Sequence, residues 1–429
     1  MNTRTPYYSR RSILKCAAAA AVAPAIVPAS VFGANPPSNR VTLGSIGMGL
    51  HGTGWNLKGI LKFDDVQVVA VCDVFKTRRN DATKIVNEKY GNQDCARYED
   101  WREIIARDDI DAVMISTPDH WHVPMSLAAM RAGKDVCCEK PTLTIEQGRV
   151  LSNTVAQQQA VFQTSTEDRS IPVYHRMAEL VRNGRIGRLQ TIRITLPAGT
   201  VKPQPPDFAP VPDGLDYDMW LGPAPAAPYA TNRCGNQEWR NIFDYSGGKL
   251  TDWGMHQLDT AQWANDTEHT GPVEVTGEGE FPDESSLYNT AMQYQLHYKY
   301  ANGVDLTIES GGTSLRFEGA DGWVGNAGWR KPLEASSQKI LDSVIGPEEL
   351  HLYTCAGGEH RNFLDCVRSR KVPYFPAEIG HRCATVLHIG NLSMRLGRKL
   401  QWDPGKESFT HDEQANAMRS QPMRKPWTL

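Results

Sequence analysis

Four residues at helical spacing carry the first chemical signal. Asp252, His256, Asp259 and Trp263 stand at i, i+4, i+7 and i+11 behind Gly247-Gly248, so a helix sets them on one face. That face is not apolar, which is unusual for a core helix. Acids flanking an imidazole can orient it and raise its pKa. Three kinds of chemistry fit these residue types. Asp252 could cap the helix while His256 is a satisfied buried histidine. The group could ligate a metal, although no cysteine or second histidine stands at ligand spacing. It could also do general acid–base work. Trp239, Arg240 and Tyr245 lie just upstream and could touch a substrate, with ordinary packing as the competing explanation.

A second signal lies near the start. Residues 41–46 read as a short strand, followed by Gly47-Met48-Gly49-Leu50-His51-Gly52 and a helical pattern with Leu57, Ile60 and Leu61 on one face. A second apolar run over 66–71 ends at Asp73. Glycines let a backbone approach a pyrophosphate, the helix N-terminus favours its charge, and an acid at the next strand end holds ribose hydroxyls. The strand and helix on either side make the G-x-G-x-x-G a dinucleotide signature rather than a surface turn.

These elements need a sheet to position them. Residues 111–116 form another buried run, ending in Thr117-Pro118-Asp119-His120-Trp121-His122, and a helix is expected from about Pro124 to Ala132. Residues 135–138 form a further strand, ending at Glu139-Lys140-Pro141. Ligands of such sheets bind at the carboxyl ends of the strands, so Asp73, the 117–122 loop and Glu139-Lys140 should meet in one crevice.

The glycine loop, the Thr-Pro-Asp-His-Trp-His loop and Glu139-Lys140-Pro141 together resemble the Gfo/Idh/MocA oxidoreductases. The resemblance implies an α/β chain: an N-terminal Rossmann doubly wound sheet, and a C-terminal α+β domain with an open, mainly antiparallel sheet that builds oligomers. It implies NAD bound by Gly47, Met48, Gly49, Gly52, Asp73, Thr117, Pro118, His120, Trp121, His122, Glu139 and Lys140. NADP is the alternative, because Arg78 and Arg79 stand near Asp73. Among the three chemistries above, the resemblance selects acid–base catalysis, with Lys140, Asp252 and His256 as catalytic residues and no metal. Substrate contacts are expected from Arg169, Trp239, Arg240, Tyr245 and Asp259. In this scheme Asp252 orients His256, a hydroxyl proton passes to His256 or Lys140, and burial lowers the Lys140 pKa.

The second half reads as a helix at about 172–183, a strand at 189–196 and a long loop from Pro197 to Pro228 with nine prolines. Beyond the catalytic helix, alternating residues around Asn302-Gly303 predict a hairpin. Glycine-rich turns at Gly319, Gly322, Gly325 and Gly328 lead to helices at 358–370 and 378–397.

Ser9-Arg10-Arg11-Ser12-Ile13-Leu14-Lys15 and the alanine-rich stretch behind it read as a twin-arginine export signal, cleaved near Gly33 or Ala34. The translocation machinery is then a partner and the destination periplasmic or secreted. The expected organisation is signal 1–33, nucleotide domain 40–165, substrate domain 166–400 and tail 401–429. The chain has 429 residues and a formal net charge of −3, and loss of four signal cations makes the mature balance 42 minus 49, or −7. That charge excludes a nucleic-acid partner. Eight scattered cysteines remain, with no C-x₂-C pair to suggest a zinc site.

The function expected is hydride transfer between a sugar or cyclitol hydroxyl carbon and a nicotinamide. The alternative is an exported glycoside hydrolase with tightly bound NAD in a transient oxidation cycle. Members of that branch commonly lack the lysine of Glu-Lys-Pro, which is present here as Lys140.

Overall fold

Short runs of Val, Ile, Cys and Ala that are apolar on both faces build a sheet covered on both sides. The computed structural model describes residues 39–355 and 357–429, so the twin-arginine stretch, its cleavage region and Cys16 lie outside the described residues. The first sheet contains β1 (Val41–Ile46), β2 (Val66–Cys72), β3 (Ala96–Tyr98), β4 (Ala112–Ile115), β5 (Asp135–Glu139) and β6 (Phe162–Ser165). All its pairings are parallel, in the order β3-β2-β1-β4-β5-β6. The order reverses between β1 and β4, which opens a crevice at their carboxyl ends.

The second sheet has nine strands. They are β7 (Leu189–Leu196), β8 (Pro272–Glu280), β9 (Gln293–Tyr300), β10 (Asp305–Ser310), β11 (Leu315–Gly319), β12 (Gly322–Asn326), β13 (Glu334–Ala335), β14 (Leu400–Asp403) and β15 (Ser408–Phe409). Only the β7–β10 pair is parallel. The Asn302-Gly303 hairpin forms as expected, joining β9 to β10, and Tyr294, Leu296, Tyr298 and Tyr300 all point into the core. Helix Lys249–Ala264 packs on β7 of this sheet beside helix Ala377–Leu396, which covers β8. Leu250, Met255, Leu258 and Ala261 join the second core, so the helix is rigidly held.

Three local expectations change. The helix expected to begin at Pro124 begins at Asp119, behind Pro118, and carries Pro124 inside it. Burial of His120, Trp121 and His122 holds that first turn in place despite the one hydrogen bond that proline forfeits. The glycines at 319, 322 and 325 are strand residues of the β11–β12 hairpin rather than turns. A Cβ at Gly325 would lie 2.5 Å from the Leu315 carbonyl oxygen, so glycine allows the two strands to close. The tail adds β14 and β15 to the second sheet, then returns to seat Trp427 against Trp121, ring centroids 4.7 Å apart. The eight described cysteines are buried and unpaired.

Candidate active site

The glycine loop forms a cradle at the switch between β1 and β4. A Cβ on Gly47, whose φ is +88°, would lie 2.6 Å from the Ser116 carbonyl carbon. One on Gly52 would lie 1.9 Å from the Gly47 oxygen. Gly49 is open on the cleft side. Asp73 Oδ2 accepts the Met48 N–H at 2.6 Å and Oδ1 accepts that of Phe75 at 2.8 Å. Burial pushes this carboxyl up while Arg78 and the two N–H groups pull it down. The Thr117 hydroxyl is buried, lines the cleft and has no hydrogen bond among the described residues. The cleft runs from the glycine loop and Asp73 to Glu139, Lys140, Trp239 and Arg240. A glycine cradle, a carboxylate at the β2 end and an unsatisfied hydroxyl at the β4 end fit a dinucleotide. Arg78 lines the cleft beside Asp73, whereas Arg79 turns away to Glu99 and the Asp73 carbonyl.

The 117–122 segment divides. Thr117, Pro118, Trp121 and His122 line the cleft; His120 does not. His120 instead faces the Trp220 carbonyl at 3.0 Å and packs on Tyr245, and burial holds it neutral, near 3. The helix starting at Asp119 points it into the loop core, away from the cleft where the resemblance places it. Trp121 donates to the Met219 carbonyl, and His122 is braced between the carbonyls of Pro141 and Thr117. Glu139 accepts from Asn56 and faces His51, both at 2.9 Å. Burial opposes its charge, but His51 and Lys140 outweigh burial and hold it well below the carboxylate range.

Lys140 reaches across to the second half of the molecule. Its Nζ donates to Asp252 Oδ1 at 2.9 Å and to the Asp252 carbonyl at 2.8 Å. Arg240 Nε at 3.3 Å and Lys249 Nζ at 3.7 Å complete the cations around Asp252. Burial alone would lower the Lys140 pKa, but Asp252 and Glu139 raise it, so the expected depression is replaced by a firmly held ammonium. Asp252 is not a cap, since Gly248 takes that position, and it does not orient His256. The His256 Nδ1 faces Asp168 Oδ2 at 3.6 Å and Glu167 Oε2 at 4.0 Å. Burial and then the charge of Lys140 lower its pKa to about 4, the reverse of the expected rise. Asp119, absent from the expected site, lines the cleft with a carboxyl that burial pushes up to about 7.

The expected substrate residues also divide. Trp239 and Arg240 line the cleft. Tyr245 is fully buried, accepting from Arg233 Nη1 at 3.0 Å. Arg169 and Asp259 form a sealed pair, with Arg169 Nε 2.8 and 3.0 Å from the two carboxylate oxygens. These three are structural because the core closes over them. Sequence reading missed Glu167, Asp168, Trp329 and Arg330. Trp329 packs on His256 and Trp253, with centroids 5.8 and 5.4 Å away, and Arg330 lies 5.5 Å over the Trp55 ring. Half-exposed rings of this kind suit the apolar faces of a sugar. Only the adjacent acids Glu167-Asp168 after a strand could have signalled this wall.

Residues 41–166 match the oxidoreductase family's NAD-binding Rossmann fold (Gfo/Idh/MocA), and residues 202–429 match its C-terminal alpha/beta domain. The chain is 32% identical over 163 residues to a glycosyl hydrolase family 109 protein of Saccharopolyspora erythraea, covering 33% of this chain and 35% of that protein. It is 32% identical over 183 residues to a myo-inositol 2-dehydrogenase of Thermotoga maritima, covering 42% and 51% respectively. The chain thus spans about a third to a half of the length of these curated relatives. A solved levoglucosan dehydrogenase, in complex with NADH and levoglucosan, shares the fold with a TM-score of 0.63 at 18% identity, covering 84% of this chain and 99% of that one. With both halves matched and a cradle that fits a dinucleotide, the chain belongs to the Gfo/Idh/MocA oxidoreductase family, its first sheet carrying the NAD-binding Rossmann fold.

Proposed function

We propose that this protein oxidises or reduces a hydroxyl-bearing carbon of a sugar or cyclitol with NAD. The observation that carries the reading is the Lys140–Asp252 contact, where the carboxyl end of the first sheet meets the helix of the second half. Bound nicotinamide supplies the hydride acceptor. Lys140, held charged by Asp252 and Glu139, presents its ammonium to the substrate hydroxyl and stabilises the negative charge that develops there. His256 is neutral, so it rather than Lys140 accepts the hydroxyl proton. Trp239 and Arg240 line the same cleft as Lys140. The inositol dehydrogenase among the relatives supports a cyclitol or sugar substrate.

A second reading is redox-assisted glycoside cleavage, favoured by the family 109 glycosyl hydrolases among the relatives. Release of nitrophenol from nitrophenyl glycosides without net NADH would establish it. Export by the twin-arginine route, oligomer formation through the second domain and the domain limits given above are part of the same proposal. They rest on the sequence of residues 1–34 and on the family resemblance.

The test is to denature the mature protein and identify released nucleotide by chromatography and mass, then titrate NADH and NADPH by fluorescence. Stoichiometric nucleotide indicates a cofactor recycled in place, and binding without it indicates a dissociable one. Binding of neither rejects the reading.

A further inference from the structure

Asp168 is fully buried, yet its Oδ2 makes no hydrogen bond, and His256 Nδ1 beside it makes none either. Glu167 Oε2 lies on the same side of that imidazole nitrogen. Among the described residues this is the group of three whose ligand atoms lie within 4.8 Å of one another. The other oxygen of each carboxylate is tied from the connection between β12 and β13. Trp329 Nε1 donates to Asp168 Oδ1 at 3.2 Å, and Arg330 Nη2 donates to Glu167 Oε1 at 2.6 Å. Each acid is thus oriented by one oxygen and open at the other, the arrangement outer partners impose on metal ligands.

We propose that Glu167, Asp168 and His256 bind a first-row divalent cation of the manganese or zinc class. The donor set is one imidazole and two carboxylates, which suits such ions and not a thiolate-seeking one. Donors about 2.1 Å from a cation stand roughly 3 to 3.4 Å apart, so the imidazole at 3.6 and 4.0 Å from the two acids, and the acids themselves within 4.8 Å, must draw together on binding. At 3.6 Å the Asp168–His256 contact is too long for a hydrogen bond, so a proton on Nδ1 leaves the group unsatisfied. Of the positive charges nearby, Lys140 is paired with Asp252 and Arg330 with the other oxygen of Glu167. Three protein donors leave positions for water or for sugar hydroxyls, in the neighbourhood of Lys140. The inference deepens the function proposed above and rests on it only for the identity of the hydroxyl ligand.

The test uses the full mature chain, stripped with EDTA and titrated with Mn²⁺ at physiological salt. Free Mn²⁺ is followed by its aqueous EPR signal. One Mn²⁺ is expected per chain, displaced by Zn²⁺. Asp168→Asn and His256→Gln are each expected to weaken binding by at least about tenfold. NADH fluorescence titration of the same samples reports the fold and the cofactor site. Where Asp168→Asn does not fold, Glu167→Gln takes its place. No Mn²⁺ uptake, or uptake that survives these substitutions, overturns the site. Mn²⁺ uptake without NADH binding upholds it and rejects the oxidoreductase reading instead.

Discussion

Helix Lys249–Ala264 carries two buried carboxylates two turns apart, and each meets a cation from the segments that follow β5 and β6. Asp259 meets Arg169, which grips both its oxygens, packs over Trp263 and Phe375, and donates to the Tyr374 carbonyl. Asp252 meets Lys140, but shares itself with Arg240 and Lys249 at the edge of the cleft. Arg169 is also held by Glu268, at 2.7 Å, so this cation is taken up by two carboxylates and leaves no donor for a ligand. The second pair gathers three cations on one carboxylate, so positive charge is left over beside the cleft. The same residue types at helical repeat thus become a bolt in one place and, on the proposed mechanism, a reactive group in the other. What decides is which neighbours compete for the carboxylate.

The widest split should come from Lys140→Met. Turnover is expected to fall by about 10³-fold, since a charge meeting the developing alkoxide is lost. Unfolding free energy should change by less than about 1 kcal/mol, because Arg240 and Lys249 remain on Asp252. Steady-state kinetics and urea denaturation on one preparation check both. Arg169→Leu should do the opposite. It leaves Asp259 buried without a cation and should cost about 3–5 kcal/mol of stability. An Arg169 variant of normal stability with lost turnover would break the comparison.

A pH experiment sharpens it. The folded pKa of Asp119, which lines the cleft, is raised to about 7. The stability this gives is present below the unfolded carboxyl pKa and is lost as pH rises through about 7. Asp119→Asn should therefore gain on the parent as pH is raised from about 4 to about 8. Melting curves of both proteins across that range would read the difference, and a constant gap would remove Asp119 as a titrating neighbour of the Lys140 pair. The smallest effect is expected at the cofactor end. Asp73→Ser removes the carboxylate proposed to hold the ribose and should weaken NADH by about tenfold while leaving NADPH nearly unchanged. Fluorescence titration with both nucleotides measures this, and Arg78→Ala should then weaken NADPH selectively.

The cofactor half was legible because its signals are local. Gly47, Gly52 and Asp73 sit in consecutive strand, loop and helix, and parallel strands put their ends together by topology alone. Glu139-Lys140-Pro141 was readable for the same reason. The substrate half was only partly so. Helical period correctly put Asp252, His256 and Asp259 on one helix, but it does not say what packs on that face. Glu167 and Asp168 stand 89 and 88 residues before His256 (256 minus 167 and 256 minus 168), and Trp329 comes from a hairpin still further along. No spacing rule links them.

By itself the sequence determined four of the six parallel strands, the glycine loop at the end of the first of them and the family to which both halves belong; the strand order came from the structure. Period-two and period-3.6 patterning dictates which face of each element is buried, and that suffices for a sheet. Only the tertiary structure decided that Asp252 serves Lys140 rather than His256, that Arg169 and Asp259 are sealed, and that His256 looks toward the two acids that follow β6. Those outcomes depend on which long-range neighbours supply charge and exclude water. A buried ionisable group takes its state from that surrounding shell, which no local stretch of sequence contains.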